Sequence, residues 1–400
     1  MEEQQIFGYL RSDGRKGIRN IVAIAYLVEC ARFVAEEIAS FFREQPVHVI
    51  GFGGCYPNEH ADKVMSALCR HPNVGAVLLL SLGCESFNKP RLYKAIEATG
   101  RPVHLITIQQ AGGTRTSILE GRGWVATALD ILSKQPRAPM GIDELIVGTI
   151  CGGSDATSGI TANPAVGIAT DRLVAKGGTV LFEETGEMIG LEKDMAARAV
   201  TKELGVELYK AVEKAARYYT IMGHGSFAPG NADGGLSTIE EKSVGAYSKS
   251  GHSAIAGMVK PGDVPPYRGL YLLDVVPDGE PRFGFPNIND SAEIAELMAC
   301  GCHIILFTTG RGSVVGSALA PVIKICANPE TFQRLREDMD VNAGRLLGGE
   351  AGLGEIADEI IEKITATAQG APTCSEALGH REFVLSYKRF GPLGPSCLPQ

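Results

Sequence analysis

A chain of 400 residues exceeds what one hydrophobic core ordinarily organises, and 44% apolar with 21% charged residues is the balance of a globular protein in two or three domains. Its 46 acidic against 38 basic residues leave a formal charge of −8, which argues against nucleic acid or an anionic membrane as the main partner. No apolar run reaches membrane-spanning length, and the start, MEEQQIFGYL, is acidic rather than the basic head of a signal peptide, so a cytoplasmic protein is expected.

In chain order, the apolar runs NIVAIAYL, VHVIGF, VGAVLLLSL and PVHLITI alternate with the helical patterns ECARFVAEEIASFFRE, NEHADKVMSALCRH and KPRLYKAIEATG. Continuous apolar strands between amphipathic helices predict a parallel sheet covered on both faces. LSKQPRAPMGID, with two prolines and a glycine, reads as a linker and divides the chain into 1–137 and 138–400. Beyond it, ELIVGTI leads into CGGSDATSGITANPAVG, then a helix from about Pro164, the strand GGTVLFEET, and a helical pattern from about Glu192 to Tyr219. IMGHGSFAPGNADGGLS reads as a long loop of the functional kind. Strands at GLYLLDVV, HIILFTT and PVIKICA and a last helix, GEIADEIIEKITATAQG, complete a second α/β block.

The ten cysteines are scattered, with no CxxC pair. In a large chain such thiols are mostly buried small hydrophobes, with one or two as reactive groups or metal ligands. Ligands of open α/β sheets bind at the carboxyl ends of strands. Four such ends carry chemistry: Gly83-Cys84-Glu85, Cys151-Gly-Gly-Ser-Asp155, Glu183-Glu184-Thr185-Gly186-Glu187 and Gly310-Arg311-Gly312-Ser313.

Asp155 is either a metal ligand or the cap of the next helix, and Cys151 either a ligand or an inert core thiol. Glu184 and Glu187 need solvent, a cation or a proton to coexist, and a hard divalent metal meets that need. Ser237 with Glu240 three residues later reads as a capping box, which leaves Glu241 and Lys242 without a structural reason. Lys242 suits a base or a carboxylate-binding point charge. GRGSVVG misses the GxGxxG spacing, as does GFGG near Gly51; Arg311 between glycines suits a bidentate carboxylate clamp instead. Cys300-Gly-Cys302 is too short a spacing for an ordinary zinc site, and no histidine pairs locally with Ser or Asp.

GYLRSDGRKGIRN, LGCE, CGGSDATSGITANPAVG, EETGE, PGNADGGLSTIEEKSVG, FTTGRGS and DMDVNAG, in this order from Phe7 to about Ser375, resemble the galactarate/altronate dehydratase family. The resemblance implies a hydro-lyase that removes water from a sugar acid, depends on ferrous iron or another divalent cation, and yields a 2-keto-3-deoxy acid. It also implies a dimerisation domain followed by a Rossmann-like variant that carries the metal, hence a homodimer. The chain starts at what corresponds to the family's second domain, so a small β-clip protein is an expected partner. GFGGCYPNEHA lacks the histidine of sugar-acid members before Gly-Cys, whereas Gly153 stands where sulfolactate enzymes carry a second acidic residue, which favours the sugar-acid branch. A sulfolactate sulfo-lyase large subunit and a non-catalytic sugar-acid-binding relative are the alternatives.

On this resemblance the expected metal ligands are Asp155, Glu184 and Cys151. Gly152, Gly153, Ser154, Asn231, Thr309 and Arg311 are expected to bind substrate, with the two glycines admitting it closely. Lys242 is the expected base, and Glu187 or Glu241 the group that protonates the departing hydroxyl.

Overall fold

The computed structural model describes residues 5–222, 229–279 and 289–386, and within them the chain is α/β throughout. The first sheet is parallel, in the order Val47–Gly51, Ile21–Tyr26, Val74–Ser81, Val103–Thr107. All eight residues of Val74–Ser81 are buried, which is why this strand reads as an unbroken apolar run. Its alternate side chains enter two different cores. Leu78 and Leu80 meet Val34, Ile38 and Val125 of the helices Arg32–Ser40 and Thr114–Ser133, while Val77 and Leu79 face Val64, Leu68 and Ile96 of Glu59–Cys69 and Lys89–Glu97.

The second sheet has seven parallel strands, in the order Ile255–Val259, Gly269–Leu273, Thr179–Phe182, Ile146–Cys151, Ile304–Thr309, Val322–Cys326, Val341–Asn342. Ile146–Cys151 comes first in the chain yet sits centrally, and the order reverses between it and Ile304–Thr309. That is the switch point at which a doubly wound sheet opens a crevice. The two edge strands Ile255–Val259 and Val341–Asn342 were not anticipated from the sequence.

Three other expectations are corrected. The expected linker contains a strand, Arg137–Met140, which pairs antiparallel with Ile6–Leu10 in the register Ile6↔Met140 and so ties the chain start to the junction. The helical pattern from Glu192 to Tyr219 is two helices, Glu192–Ala197 and Lys202–Met222. Between them Ala199 forms a single-residue parallel bridge to Ile255, through Val200 N–H donating to Ile255 O and Ile255 N–H to Arg198 O. Of the expected long loop, Pro229–Asp233 is a short helix and residues 223–228 lie outside the described residues.

Both sheets share one apolar core, in which Val64, Met65 and Leu68 of Glu59–Cys69 join Ile294, Leu297 and Met298 of Asp290–Ala299. The polar part of this seam is set by two buried histidines. His71 Nδ1 accepts from Asn73 N–H (3.1 Å) while its Nε2–H donates to Cys302 O (3.0 Å). His303 Nδ1 accepts from Ile146 N–H (3.0 Å) and its Nε2–H donates to Lys16 O (2.8 Å). Each ring is therefore held neutral, since a second proton would point at an N–H donor.

Burial holds His303 down to about 4 from its ordinary 6.5, and His71 well below it as well. Between those values the unfolded chain binds more protons than the folded one, so stability falls as pH falls. Denaturant unfolding is expected to lose a few kcal/mol between about pH 6.5 and about pH 4. His303→Gln is expected to flatten that slope.

Candidate functional site

Three of the four chemistry-bearing strand ends meet at the carboxyl edge of the seven-stranded sheet. Gly152 N–H donates to Thr308 O (3.1 Å), and Gly153 O accepts from Gly310 N–H (3.2 Å) and Arg311 N–H (2.8 Å), which locks the two loops of the switch point together. A side chain on Gly152 would lie 2.3 Å from Asp290 Oδ2 and 2.6 Å from the Phe307 ring. Gly153 has φ +58. These glycines thus admit Asp290 and a left-handed turn, not open space for a ligand as expected.

Close glycine contacts also bring in the helix Ile239–Tyr247. A Cβ on Gly159 would sit 2.9 Å from the Gly245 Cα, and one on Gly167 only 2.1 Å from Ser248 O. The backbone of residues 245–251 therefore lies directly on the loop and helix after Cys151. Lys242 and Lys249, one before and one within that stretch, both reach the sheet edge.

There they meet a buried ionic cluster. Lys242 Nζ lies 3.0 Å from Cys151 Sγ, 2.8 Å from Ser154 Oγ and 3.0 Å from Glu187 Oε1. Lys249 Nζ, wholly buried, pairs with Glu184 Oε2, which also accepts Cys151 N–H at 3.0 Å. The Cys151 thiol donates to Glu184 Oε1 (3.4 Å) and Glu187 Oε2 (3.3 Å). Glu184 is the one non-glycine at positive φ among the described residues (φ 77, ψ 51), a conformation costing roughly 1–2 kcal/mol that aims its carboxylate inward.

The protonation states follow from this packing. Burial, with Glu184 and Glu187, pushes the Cys151 thiol up to about 12, so it rests protonated. Burial opposes the charge on Lys242, but Cys151, Glu187 and Glu184 outweigh it and raise its pKa above the ordinary lysine value; Lys249 is raised the same way. Burial and then Glu187 raise Glu184. Asp290, pressed on Gly152, is pushed up to about 6 by burial and Glu184.

Ser154 and Lys242 open on a cleft of about 430 Å³, walled by residues after Asp155 and by the helix from Ile239, with Ile160, Leu236 and Val244 as apolar lining. Asp155 also lines it but is not in the cluster. Its Oδ1 accepts from Thr157 N–H (2.9 Å) and Oγ1–H (2.6 Å), and its Oδ2 from Asn328 Nδ2–H (3.1 Å). Asp155 is thus not the expected cap either, since the next helix, Ala162–Ala175, starts after Thr161; a local turn takes its Oδ1 and Asn328 its Oδ2. Arg311 stands exposed beside Gly234 and is not among the residues that line the cleft. Thr309, buried, uses its Oγ1 on Gly153 O and Gly312 N–H. Asn231, also buried, supplies its carbonyl to Gly234 and Leu236 N–H.

The expected capping box does not form: Thr238, not Ser237, caps the helix by accepting Glu241 N–H (3.1 Å), and the Glu241 carboxylate accepts from Ser237 N–H (2.8 Å) and Oγ–H (3.0 Å). Glu241, expected at the chemistry, is an exposed helix cap.

Two groups of described residues have ligand atoms within 4.8 Å of one another: Cys151, Glu184 and Glu187, and Glu183, Glu184 and Glu293. The first, one sulfur and two carboxylates, fits a ferrous ion in donor type and separation. Lys249, Asp290 and Glu293 went unread in the sequence. Asp290 had one cue, its place at a helix start after Asn289; Lys249 in GAYSKS had none.

Residues 8–133 match the family model described as D-galactarate dehydratase/altronate hydrolase, second domain. Residues 142–390 match that of D-galactarate/altronate dehydratase, C-terminal. The chain is 33% identical over 398 residues to (2R)-sulfolactate sulfo-lyase subunit beta of Chromohalobacter salexigens, covering 96% of this chain and 98% of that one. It is 30% identical to altronate dehydratase of Escherichia coli over 401 residues (96% and 78% of the two chains) and 30% to galactarate dehydratase (L-threo-forming) of the same organism over 389 (91% and 72%).

Removing one member of a buried pair strands the other charge. Lys249→Ala is expected to lose about 3–5 kcal/mol in denaturant unfolding, whereas Glu241→Ala shifts the midpoint little. Equal effects would mean that Glu184 finds another counter-charge.

Proposed function

The chain belongs to the D-galactarate/altronate dehydratase family, and on that premise we propose that it dehydrates a sugar acid to a 2-keto-3-deoxy acid. The observation that carries the reading is the Lys242 ammonium, held charged where the cluster opens on the cleft. Removing the proton alpha to a carboxylate leaves an aci-carboxylate with two negative charges, which only fixed positive charge stabilises well. Lys242, expected as the base, better fits this stabilising role because its surroundings favour the ammonium.

Glu187 bonds to both the Cys151 thiol and Lys242, and it takes the alpha proton. It returns that proton to the hydroxyl leaving the beta carbon, so water departs and the resulting enol tautomerises to the 2-keto acid. Arg311, exposed beside Gly234, holds a second polar end of the substrate where that end extends beyond the cleft. A divalent cation, held by Cys151, Glu184 and Glu187, would supply Lewis-acid polarisation of the substrate carboxylate. The homodimer and a small β-clip partner are part of the same proposal, as is a cytoplasmic setting; no described helix is long and apolar enough to cross a membrane.

The 33% identity over nearly the whole sulfo-lyase subunit beta favours a second reading, in which the beta substituent expelled is sulfite. Chain purified anaerobically with ferrous iron, with and without a small β-clip protein, is to be offered aldonates, aldarates and sulfolactate. The expected result is 2-keto acid from a sugar acid and no sulfite, with Lys242→Ala lowering kcat about 100-fold or more. Sulfite release would establish the second reading, and no product from any of these acids would sink both.

A further inference from the structure

The four-stranded sheet carries a feature that the lyase reading does not use. Tyr26 lies opposite Gly51 on one neighbouring strand and opposite Leu80 on the other. Cys30, Cys55 and Cys84 each stand four residues beyond their member of that row. They are the three exposed cysteines among the described residues, the other six being buried or half-buried. Free cysteine is among the most buried residue types, so three exposed thiols at one sheet edge call for a reason other than packing.

Each thiol sits on a built turn. Cys30 belongs to the 3-10 turn Glu29–Ala31. Cys55 O accepts both Ser86 N–H (2.9 Å) and Ser86 Oγ–H (3.1 Å), which ties its loop to that of Cys84. The latter loop is fastened from beneath by buried Glu85, whose carboxylate accepts from Ser81 Oγ–H (2.5 Å) and Gly83 N–H (2.9 Å). A Cβ on Gly53 would lie 3.5 Å from Glu29 Oε2, which brings the first loop beside the second.

We infer that Cys30, Cys55 and Cys84 together hold an iron–sulfur cluster at the carboxyl edge of the four-stranded sheet. Thiolates select soft ions, zinc or iron–sulfur cores. A single ion, at about 2.3 Å from each sulfur, needs those sulfurs within about 4.6 Å of one another. The three are not among the groups whose ligand atoms lie within 4.8 Å, so they stand too far apart for one ion. A core of several irons and sulfides holds its thiolates farther apart than one ion does. With three protein thiolates, one iron of a cubane keeps an open position for water or a hydroxy-carboxylate oxygen.

The sheet edge that carries the three thiols faces the same side of the molecule as the cleft. Glu59–Cys69 and Asp290–Ala299 each run from a carboxyl-edge loop towards the opposite edge of their sheet. They pack together at His60–Glu296 (3.1 Å) and end joined at His71–Cys302, so the carboxyl edges of both sheets point one way.

The inference rests on the thiols alone and stands whether or not a cation binds at Cys151. Chain purified anaerobically from iron-replete cells is expected to be brown, with acid-labile sulfide equal to its cluster iron, about four of each per chain for a cubane. Cys30→Ser, Cys55→Ser and Cys84→Ser each lose the labile sulfide and the visible absorption. Because the three side chains are exposed, the iron-free variants keep the unfolding midpoint of the iron-free wild type. Cys151→Ala keeps the labile sulfide, which separates this site from the cation of the lyase reading. Wild type without labile sulfide, variants that retain it, or a Cys55–Cys84 disulfide in the anaerobic protein would each overturn the assignment.

Discussion

Two carboxylates and two ammonium groups withdrawn from water must balance inside the fold, and much of the second α/β block is arranged so that they do. Each ion costs several kcal/mol to bury, repaid only by close pairing and full hydrogen bonding. The pairing partners come from distant parts of the chain: Glu184 and Glu187 from the turn after one strand, Lys242 and Lys249 from a helix and turn some sixty residues later. They meet because Gly159 and Gly167 let the backbone around Gly245 and Ser248 settle without an intervening side chain. The left-handed Glu184 belongs to the same device, since that backbone turns its carboxylate towards both Cys151 N–H and Lys249.

This dependence explains which parts of the molecule could be read from residue order alone. Strands buried on both faces, such as Val74–Ser81 and Ile304–Thr309, declare themselves as apolar runs, so the α/β class and the parallel sheets were readable. Short edge strands carry no such run; Val341–Asn342 is a strand only because its neighbour Val322–Cys326 offers a free edge. Glu184, Glu187, Lys242 and Cys151 stood out because each breaks a local pattern at a strand or helix end. Lys249 does not, as its burial is decided by Glu184 across the fold. Asp155 misled in the opposite sense. Its neighbours Thr157 and Ser158, two and three residues on, hold its Oδ1, and Asn328 across the fold takes its Oδ2. Asp155 neither caps the next helix, which starts after Thr161, nor joins the ionic cluster.

On the proposed reaction, the chemistry common to the family members named above would need only the cluster. Proton removal alpha to a carboxylate is the same event whether the beta group leaves as water or as sulfite. Discrimination must therefore lie further out in the cleft, where Glu240 and Glu241 stand on one wall and Ile160 and Val244 supply apolar surface. Exposed acidic groups act weakly through water, but they act in one direction. A substrate with a single carboxylate seated at Lys242 leaves a neutral polyhydroxy tail against that wall, whereas a second anionic group faces like charge unless it reaches Arg311. On the proposed reaction, that acidic wall would favour a monoanionic sugar acid, and a second anionic group would have to extend past the cleft to Arg311 beside Gly234.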